Sequence, residues 1–378
     1  MKLKRSRSLV VLALGSLIAV VGVSVAPARV SATSGASPRH QALSIASLTS
    51  SQLSTATQAR PVLFPGSSYA TYLYDANPAP HHPAPSHPPT PTPALAPPVR
   101  LTPPVEGVVT TSVAGWDTFT HHTAQLADNY VAIARNGGVL PSTWLLSAIR
   151  ADDGAEPVIE ILPNDATMPV ITLSSIVRGR RDSWLLALKA QIAALRRPVV
   201  VSFAPEPNGK WYSWGLQPKE FVAAYQHVHD VIGDGTAAAP VTWMWQPSAI
   251  NDQAESMPRQ YWPGASFVDW VGLDGYYYVN RDSFGLRFSA TLKVVKRFWR
   301  GPVIIGETGI SPHVANGPAD IANLFAGVAA HHLLGLIFFD IKQKCPAQGC
   351  GQFHGDFALQ NEPSAWAAAY RTAVNGSW

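Results

Sequence analysis

The chain has little cysteine and no dense run of basic residues in its folded part. Its only cysteines are Cys345 and Cys350, and two thiols alone cannot complete a structural zinc site, which takes four ligands. Lys and Arg exceed Asp and Glu by 28 to 24, but part of that excess lies at the N-terminus. The sequence gives no indication of a nucleic-acid partner, a metal or a cofactor.

The first hundred residues also lack tryptophan. All twelve tryptophans follow Pro104, whereas fourteen of the 33 prolines lie between Pro61 and Pro104. Residues 33–104 are rich in Ala, Ser, Thr and Pro, and such a segment cannot bury enough apolar surface to fold. We therefore expect a disordered linker over 33–104, stiffened by its prolines, and one folded domain over 105–378.

Residues 1–32 have the pattern of an export signal. Four basic residues lie before position 8, and an apolar run follows from Leu9 to Ala26, as in a secretory signal peptide. The run is also close to the ~18 residues of a membrane span. A cleaved signal and a retained anchor both remain open, and either places the protein outside the cell or on the outer face of its membrane. In that setting Cys345 and Cys350 are expected to form a disulfide rather than two free thiols.

Apolar strand candidates alternate with amphipathic helices along the folded part. Eight strands are predicted, near 107–113, 138–140, 157–162, 198–203, 241–245, 268–273, 302–306 and 334–339. Helices are predicted over 182–195, 218–232 and 321–331, each with an apolar stripe of helical period. Eight strand–helix repeats in about 270 residues predict a monomeric (β/α)8 TIM barrel with its chemistry at the strand C-termini.

Two of these strands end in a glutamate. Glu206 follows the fourth strand and Glu307 ends the seventh, so both fall on the catalytic face of the predicted barrel. Paired carboxyl groups are the machinery of glycoside hydrolysis, and Trp211 and Trp214 near Glu206 offer flat apolar faces for sugar rings.

From about Ile176 to Asp340 the chain resembles glycoside hydrolase family 26, the β-mannanase family within the clan of retaining (β/α)8 hydrolases. Its acid/base segment is similar to Glu206-Pro-Asn-Gly-Lys-Trp-Tyr-Ser-Trp214, and its nucleophile strand to Ile305-Gly-Glu-Thr-Gly309. The most specific match is Tyr261-Trp-Pro-Gly-Ala-Ser-Phe-Val-Asp-Trp-Val-Gly-Leu-Asp-Gly-Tyr276. Weaker matches are Gly179–Asp182, Tyr225–Asp230 and Val241–Pro247.

The resemblance implies a role for each matching residue. Glu206 is the expected general acid and then base, and Glu307 the nucleophile. Tyr276 is expected to orient Glu307 through its hydroxyl. Asp274 is expected either to order the loop after the sixth strand or to contact sugar, and Asn208 either to contact sugar or to form a turn.

Aromatic residues are candidates for stacking on the substrate. The expected sugar platforms are Trp211, Trp214, Trp245 and Tyr277, the alternative for each being a place in the core. Three further tryptophans are expected to be core residues: Trp184, Trp270 and Trp366.

Two positions depart from the family pattern. Pro205 replaces a histidine common before the acid/base, and Ser202 replaces an arginine common in the strand. We expect an endo-acting hydrolase of a β-linked polysaccharide, with β-1,4-mannan as first candidate. The alternatives are β-1,3-xylan, mixed-linkage β-glucan or an exopolysaccharide as substrate, a transglycosylase, and a non-catalytic wall protein that binds polysaccharide.

Overall fold

The computed structural model of the protein contains a closed barrel of eight parallel strands, which confirms the predicted (β/α)8 fold. The structure describes residues 101, 103–133, 140, 149, 154–164, 171–250, 258–342, 357–376 and 378. The barrel strands are β1 (Val105–Val109), β2 (Leu126–Ala132), β3 (Glu156–Leu162), β4 (Val199–Phe203), β6 (Ala239–Trp245), β7 (Trp270–Asp274), β8 (Val303–Thr308) and β9 (Gly335–Phe339). Neighbouring strands pair in parallel, and β1 pairs with β9 to close the ring. A two-residue strand, β5 (Gly235–Thr236), pairs antiparallel with β6.

Helices cover the outside of the barrel. They are α1 (Val113–Thr120), α2 (Leu173–Val177), α3 (Asp182–Leu195), α4 (Pro218–Ile232), α5 (Phe284–Val295), α6 (Gly317–Ala330) and α7 (Ser364–Val374). The predicted bounds of α3 and α4 agree with the structure, and α6 contains most of the third predicted helix. In α4, Pro218 occupies the first turn, where its missing N–H is not needed, and Phe221, Tyr225, Val228 and Ile232 form the buried stripe.

The apolar core has two layers. An inner layer fills the barrel with side chains such as Val158, Val200, Met244 and Ile304. A larger outer layer lies between strands and helices. The three tryptophans predicted to be core residues are buried: Trp184, Trp270 and Trp366.

The prediction for the second strand is wrong. The strand runs over Leu126–Ala132, whereas Leu140 is buried outside any strand and residues 138 and 139 lie outside the described ranges. The strand was missed because Asp128, Asn129 and Tyr130 interrupt its apolar run. Asp128 and Tyr130 lie inside the barrel beside Glu160 and Glu307, where polar side chains stand in place of apolar ones.

An irregularity in β8 decides where Glu307 points. Ile304 pairs with Gly272 and Glu307 with Asp274, so three steps along β8 face two along β7. A similar shift occurs against β9. Side chains alternate along a strand, so without the extra residue Glu307 would share the outer face of Ile305. The bulge turns Glu307 into the barrel mouth, a known use of β-bulges beside active sites.

Several predictions fall outside the described residues. The export signal or anchor over 1–32, nearly all of the linker over 33–104, and the pair Cys345 and Cys350 are among them. Within the part of the chain that the structure covers, no helix is both long and apolar enough to cross a bilayer.

Candidate active site

Glu206 lies three residues beyond β4, on a backbone held in an uncommon conformation. Ala204 and Glu206 have φ values of 50° and 52°, in the left-handed region that non-glycine residues seldom adopt. The N–H of Glu206 donates to the main-chain oxygen of Gln246, at 2.7 Å, and the indole Nε1 of Trp214 donates to the oxygen of Pro205, at 2.8 Å. These bonds hold a strained turn, and such strain is concentrated at functional sites.

The carboxyl group of Glu206 has two polar partners. Trp211 Nε1 donates to Oε2 at 2.5 Å, and the Ser248 side chain also hydrogen-bonds the carboxyl. Ser248 is held in turn by Asn208, whose Nδ2 donates to its main-chain oxygen at 2.8 Å and whose Oδ1 accepts from its N–H at 2.9 Å. Asn208 is fully buried, so its place is in this turn and not against a sugar.

Two tyrosines hold the carboxyl group of Glu307. Tyr276, which follows β7, donates its hydroxyl to Oε1. Tyr130, on β2, donates to Oε2. Burial and the charge of Glu307 raise the pKa of both phenols well above their usual value, so both remain protonated donors. Each carboxylate oxygen of Glu307 thus has a donor, and the carboxylate is fixed in orientation.

The surroundings act differently on the two glutamates. Burial first, and then the charge of Glu307, raises the pKa of Glu206 to about 8, against the lowering effect of the bond from Trp211. Burial also raises the pKa of Glu307, but the two tyrosine hydroxyls oppose this by stabilising its charge. The charge of Glu307 thus favours a protonated Glu206, and the two hydroxyls favour an ionised Glu307, as an acid and nucleophile pair requires.

A layer of buried polar residues lies beneath this pair. Gln246 Nε2 donates to Glu160 Oε1 at 2.6 Å. Burial, and then the charges of Asp128 and Glu307, raises the pKa of Glu160 well above its usual value, which favours its protonated form. Asp274, on β7, is also buried, and burial followed by the charges of Glu206 and Glu307 raises its pKa well above the usual value.

Three carboxyl groups of this layer are near enough to share a metal ion. Oxygens of Asp128, Glu160 and Glu307 lie within 4.8 Å of one another, the one such group among the described residues. Both oxygens of Glu307 already accept a tyrosine hydroxyl, and Glu160 Oε1 accepts the amide of Gln246.

The aromatic platforms predicted from the sequence need correction. Trp245 and Tyr277 are fully buried: Trp245 packs edge-on against Trp262, and the Tyr277 hydroxyl donates to Asn323. Trp214 is 2% exposed and stacks on Tyr212 with ring centroids 4.3 Å apart. These three rings offer no free face to a sugar, because neighbouring aromatic rings and helices cover them.

Trp211 alone among the predicted platforms keeps an exposed part at the site. It is partly buried and bonded to the carboxyl group of Glu206. Its indole is therefore placed both to cover the acid and to contact a sugar beside it.

Five residues of the site were missed by the sequence analysis. They are Asp128, Tyr130, Glu160, Gln246 and Ser248. The signal available for the first three was a polar residue at an inward position of a barrel strand, next to residues that fill the interior. The last two follow β6 within the segment Val241–Pro247 or directly after it, so the family resemblance pointed to the region but not to the contacts.

The two departures from the family pattern both lie in the buried wall of the site. Ser202 is fully buried on β4, opposite Glu160 in register. Pro205 is buried, and its oxygen accepts the bond from Trp214. Neither position supplies a charged or imidazole group to the acid layer.

Comparison with known proteins supports the resemblance. The family model of glycosyl hydrolase family 26 matches residues 173–298, a span that includes Glu206 but ends before Glu307. The resemblance predicted from the sequence is confirmed.

Two curated relatives match parts of the chain. Endoglucanase H of Acetivibrio thermocellus is 21% identical over 214 residues, which are 53% of this chain and 22% of that protein. A mannan endo-1,4-beta-mannosidase of Bacillus subtilis strain 168 is 27% identical over 171 residues, 42% of this chain and 44% of that protein. The chain spans less than half the length of these relatives.

A solved structure agrees in fold. The catalytic domain of an endo-beta-1,4-mannanase from Bacillus sp. JAMB-750 superposes with a TM-score of 0.51, at 16% identity, over 71% of this chain and 80% of that one. At this identity the likeness bears on the (β/α)8 architecture alone.

Proposed function

We propose that this chain, which has a glycoside hydrolase family 26 region over residues 173–298, is a retaining, endo-acting glycoside hydrolase of a β-linked polysaccharide. The observation that supports this best is the pair Glu206 and Glu307 at the barrel mouth. The two carboxyl groups interact electrostatically: the charge of Glu307 helps to keep the proton on Glu206, and two tyrosine hydroxyls stabilise the charged form of Glu307.

The reaction has two steps. The Glu206 carboxyl gives its proton to the glycosidic oxygen while the Glu307 carboxylate attacks the anomeric carbon, which forms a glycosyl-enzyme ester and releases the leaving chain. Water then attacks the same carbon, the Glu206 carboxylate takes its proton, and the Glu307 carboxylate departs. Tyr130 and Tyr276 keep the Glu307 carboxylate ionised and aimed before it attacks, and they stabilise it again when it departs.

β-1,4-Mannan is the first substrate candidate. The family resemblance supports it. Among the relatives that match, one is a mannan endo-1,4-beta-mannosidase, another an endoglucanase and another a beta-1,3-xylanase. β-1,3-Xylan, mixed-linkage β-glucan and an exopolysaccharide remain alternatives, because Ser202 and Pro205 remove side chains that line the cleavage subsite in the family. The acid-rich site favours a neutral sugar over a uronic acid.

We also propose that the protein acts outside the cell. Its N-terminal basic and apolar segments support export, and the proline-rich stretch before residue 105 suits a spacer that holds the domain away from a surface. The substrate would then be an extracellular polymer.

Hydrolysis and its substrate are tested together by viscometry on soluble β-mannan, β-glucan and β-xylan. An endo-acting enzyme lowers viscosity before much reducing sugar appears. Loss of viscosity on glucan or xylan but not on mannan would contradict the mannan assignment and leave the mechanism in place.

Glu206→Ala gives the matched control for the acid. It should hydrolyse activated aryl glycosides far better than polymer, because such leaving groups need no proton, and added azide should restore the second step. Equal loss on both substrate types, or binding of polymer without any cleavage by the wild type, would favour the wall-binding alternative. Products longer than the substrate would indicate a transglycosylase.

A further inference from the structure

Gln246 contacts both the segment that carries the acid and the buried carboxyl groups beside the nucleophile. It follows β6 directly and is 1% exposed. Its main-chain oxygen accepts from the N–H of Glu206 at 2.7 Å. Its side-chain amide donates to Glu160 at 2.6 Å and also hydrogen-bonds the carboxyl group of Asp274. Gln246 thus contacts Glu160 on β3 and Asp274 on β7. These two strands pair with β4 and β8, which lead to Glu206 and Glu307.

The neighbouring strands leave space for this side chain. A Cβ built at Gly306 on β8 would lie 2.8 Å from Asp274 Oδ1 and 3.1 Å from Gln246 Cγ. A Cβ at Gly272 on β7 would lie 3.3 Å from Gln246 Cγ and 2.9 Å from Met244 Sδ. A larger residue at either glycine would crowd Gln246 Cγ, so the two glycines leave room for this side chain.

The amide is suited to this position because it can donate without adding charge. Among the described residues, no ion pair involves any of the four carboxyl groups at the site, which are those of Glu160, Glu206, Asp274 and Glu307. Oxygens of Glu160 and Glu307 lie within 4.8 Å of each other, so the proton and orientation of Glu160 determine the field that the nucleophile feels. A neutral donor holds Glu160 in place, whereas a further carboxyl group would compete for its proton.

We infer that Gln246 is a positioning residue for the catalytic pair. Its side chain fixes the orientation of Glu160 and Asp274 beside Glu307, while its main chain holds the turn that presents Glu206. This inference rests on the proposed function.

Steady-state kinetics on the best polymer provide the first test. Gln246→Glu replaces a donor by a carboxyl group of the same shape, and we expect kcat at pH 6 to fall by about tenfold or more with KM changed by less than about twofold. The acid limb of the kcat profile should move to higher pH, because an additional carboxyl group makes ionisation of Glu307 harder.

A double variant, Gln246→Glu with Glu160→Gln, exchanges the two residues. This swap restores one donor and one acceptor across the same 2.6 Å contact. It should recover most of the lost kcat and return the acid limb toward its wild-type position. Gln226→Glu is the matched control, since Gln226 lies on α4 and donates to Pro263 away from the site; its kinetics should equal those of the wild type.

An indole signal tests the same inference without any turnover. Trp211 Nε1–H donates to Glu206, so its nitrogen-15 NMR resonance, assigned with Trp211→Phe, follows the ionisation of Glu206. In the wild type the midpoint is expected near 8. In Gln246→Glu it should move to higher pH, and in the swap it should return.

The results separate the two hypotheses. An inactive wild type with the expected indole titrations would overturn the proposed function and keep the role of Gln246 in the acid layer. Kinetics and titrations of Gln246→Glu equal to those of the wild type, or a folded swap no better than Gln246→Glu, would overturn the positioning role. If Gln246→Glu does not fold, Gln246→Met removes the donor to Glu160 at similar volume, and a wild-type kcat in that variant would overturn the positioning role.

Discussion

Tyr130 on the second barrel strand donates its hydroxyl to Glu307 on the seventh, 177 residues further along the chain. The contact exists because the barrel closes and because the bulge in β8 turns Glu307 inward. Together with Tyr276 it gives the nucleophile one donor for each oxygen, which favours the charged form that must attack.

Loss of this second donor should weaken catalysis. Tyr130→Phe removes a hydrogen bond to a charged group, worth roughly 1.5–3 kcal/mol, so kcat should fall by about 10- to 100-fold. The acid limb of the pH profile should also move to higher pH, since the hydroxyl lowers the pKa of Glu307.

Tyr277→Phe is the control for that measurement. Its hydroxyl bonds Asn323 rather than the site, and its kcat should stay within about twofold of the wild type. A Tyr130→Phe enzyme with unchanged kcat and an unchanged acid limb would show that Tyr276 alone holds the nucleophile.

The pH profile of kcat/KM should be bell-shaped. Activity should fall above pH 8 or so as Glu206, with its pKa raised to about 8, loses the proton it must donate. It should fall on the acid side at a pKa above the usual value of 4.5, as Glu307 takes up a proton. Because the two carboxyl groups interact, the two apparent pKa values of the profile describe the pair and not either residue alone. A basic limb at the ordinary pKa of a carboxyl group would contradict the burial of the acid.

The free energy of unfolding should depend on pH through Glu106, a buried acid outside the active site. Glu106 on β1 is fully buried, accepts bonds from Trp116 at 2.9 Å and Tyr370 at 2.8 Å, and has its pKa raised by burial to about 8. The folded state holds this proton more tightly than the unfolded state. The stabilisation is therefore complete below the unfolded pKa near 4.5 and is lost as pH rises through about 8.

Glu106→Gln removes that dependence. The free energy of unfolding of the wild type should fall relative to the variant by a few kcal/mol, on the order of 4, between pH 5 and pH 9. Denaturant titrations at a series of pH values measure the difference. Parallel pH curves for the two proteins would show that Glu106 stays ionised in the fold.

The barrel and the two glutamates could be predicted from the sequence because short local patterns indicate them. The run Val199–Phe203 followed by Glu206, and Val303–Thr308 with Glu307, read as apolar strands with an acid at the end. Tyr130 could not be found in this way, because the polar residues of β2 break its apolar run and only barrel closure brings that strand near Glu307.

The sequence also could not show which aromatic rings are buried. Trp211 and Trp245 look alike in the sequence, since each stands near the end of a strand. Trp245 is buried because Trp262, in the connection from β6 to β7, packs against it in a T-shaped contact, whereas the indole of Trp211 extends to the carboxyl group of Glu206. The burial of a ring depends on which partners the fold brings to it.

The most direct test of the catalytic assignment is to trap the glycosyl-enzyme. The wild type would be incubated with activated 2-deoxy-2-fluoro β-mannosides, β-glucosides and β-xylosides and digested, and the labelled peptide identified by mass spectrometry. We expect one sugar bound as an ester to Glu307 with at least one reagent, and no label on Glu307→Ala. A label on another residue, or undiminished polymer hydrolysis by Glu307→Ala, would contradict the assignment of Glu307 as nucleophile.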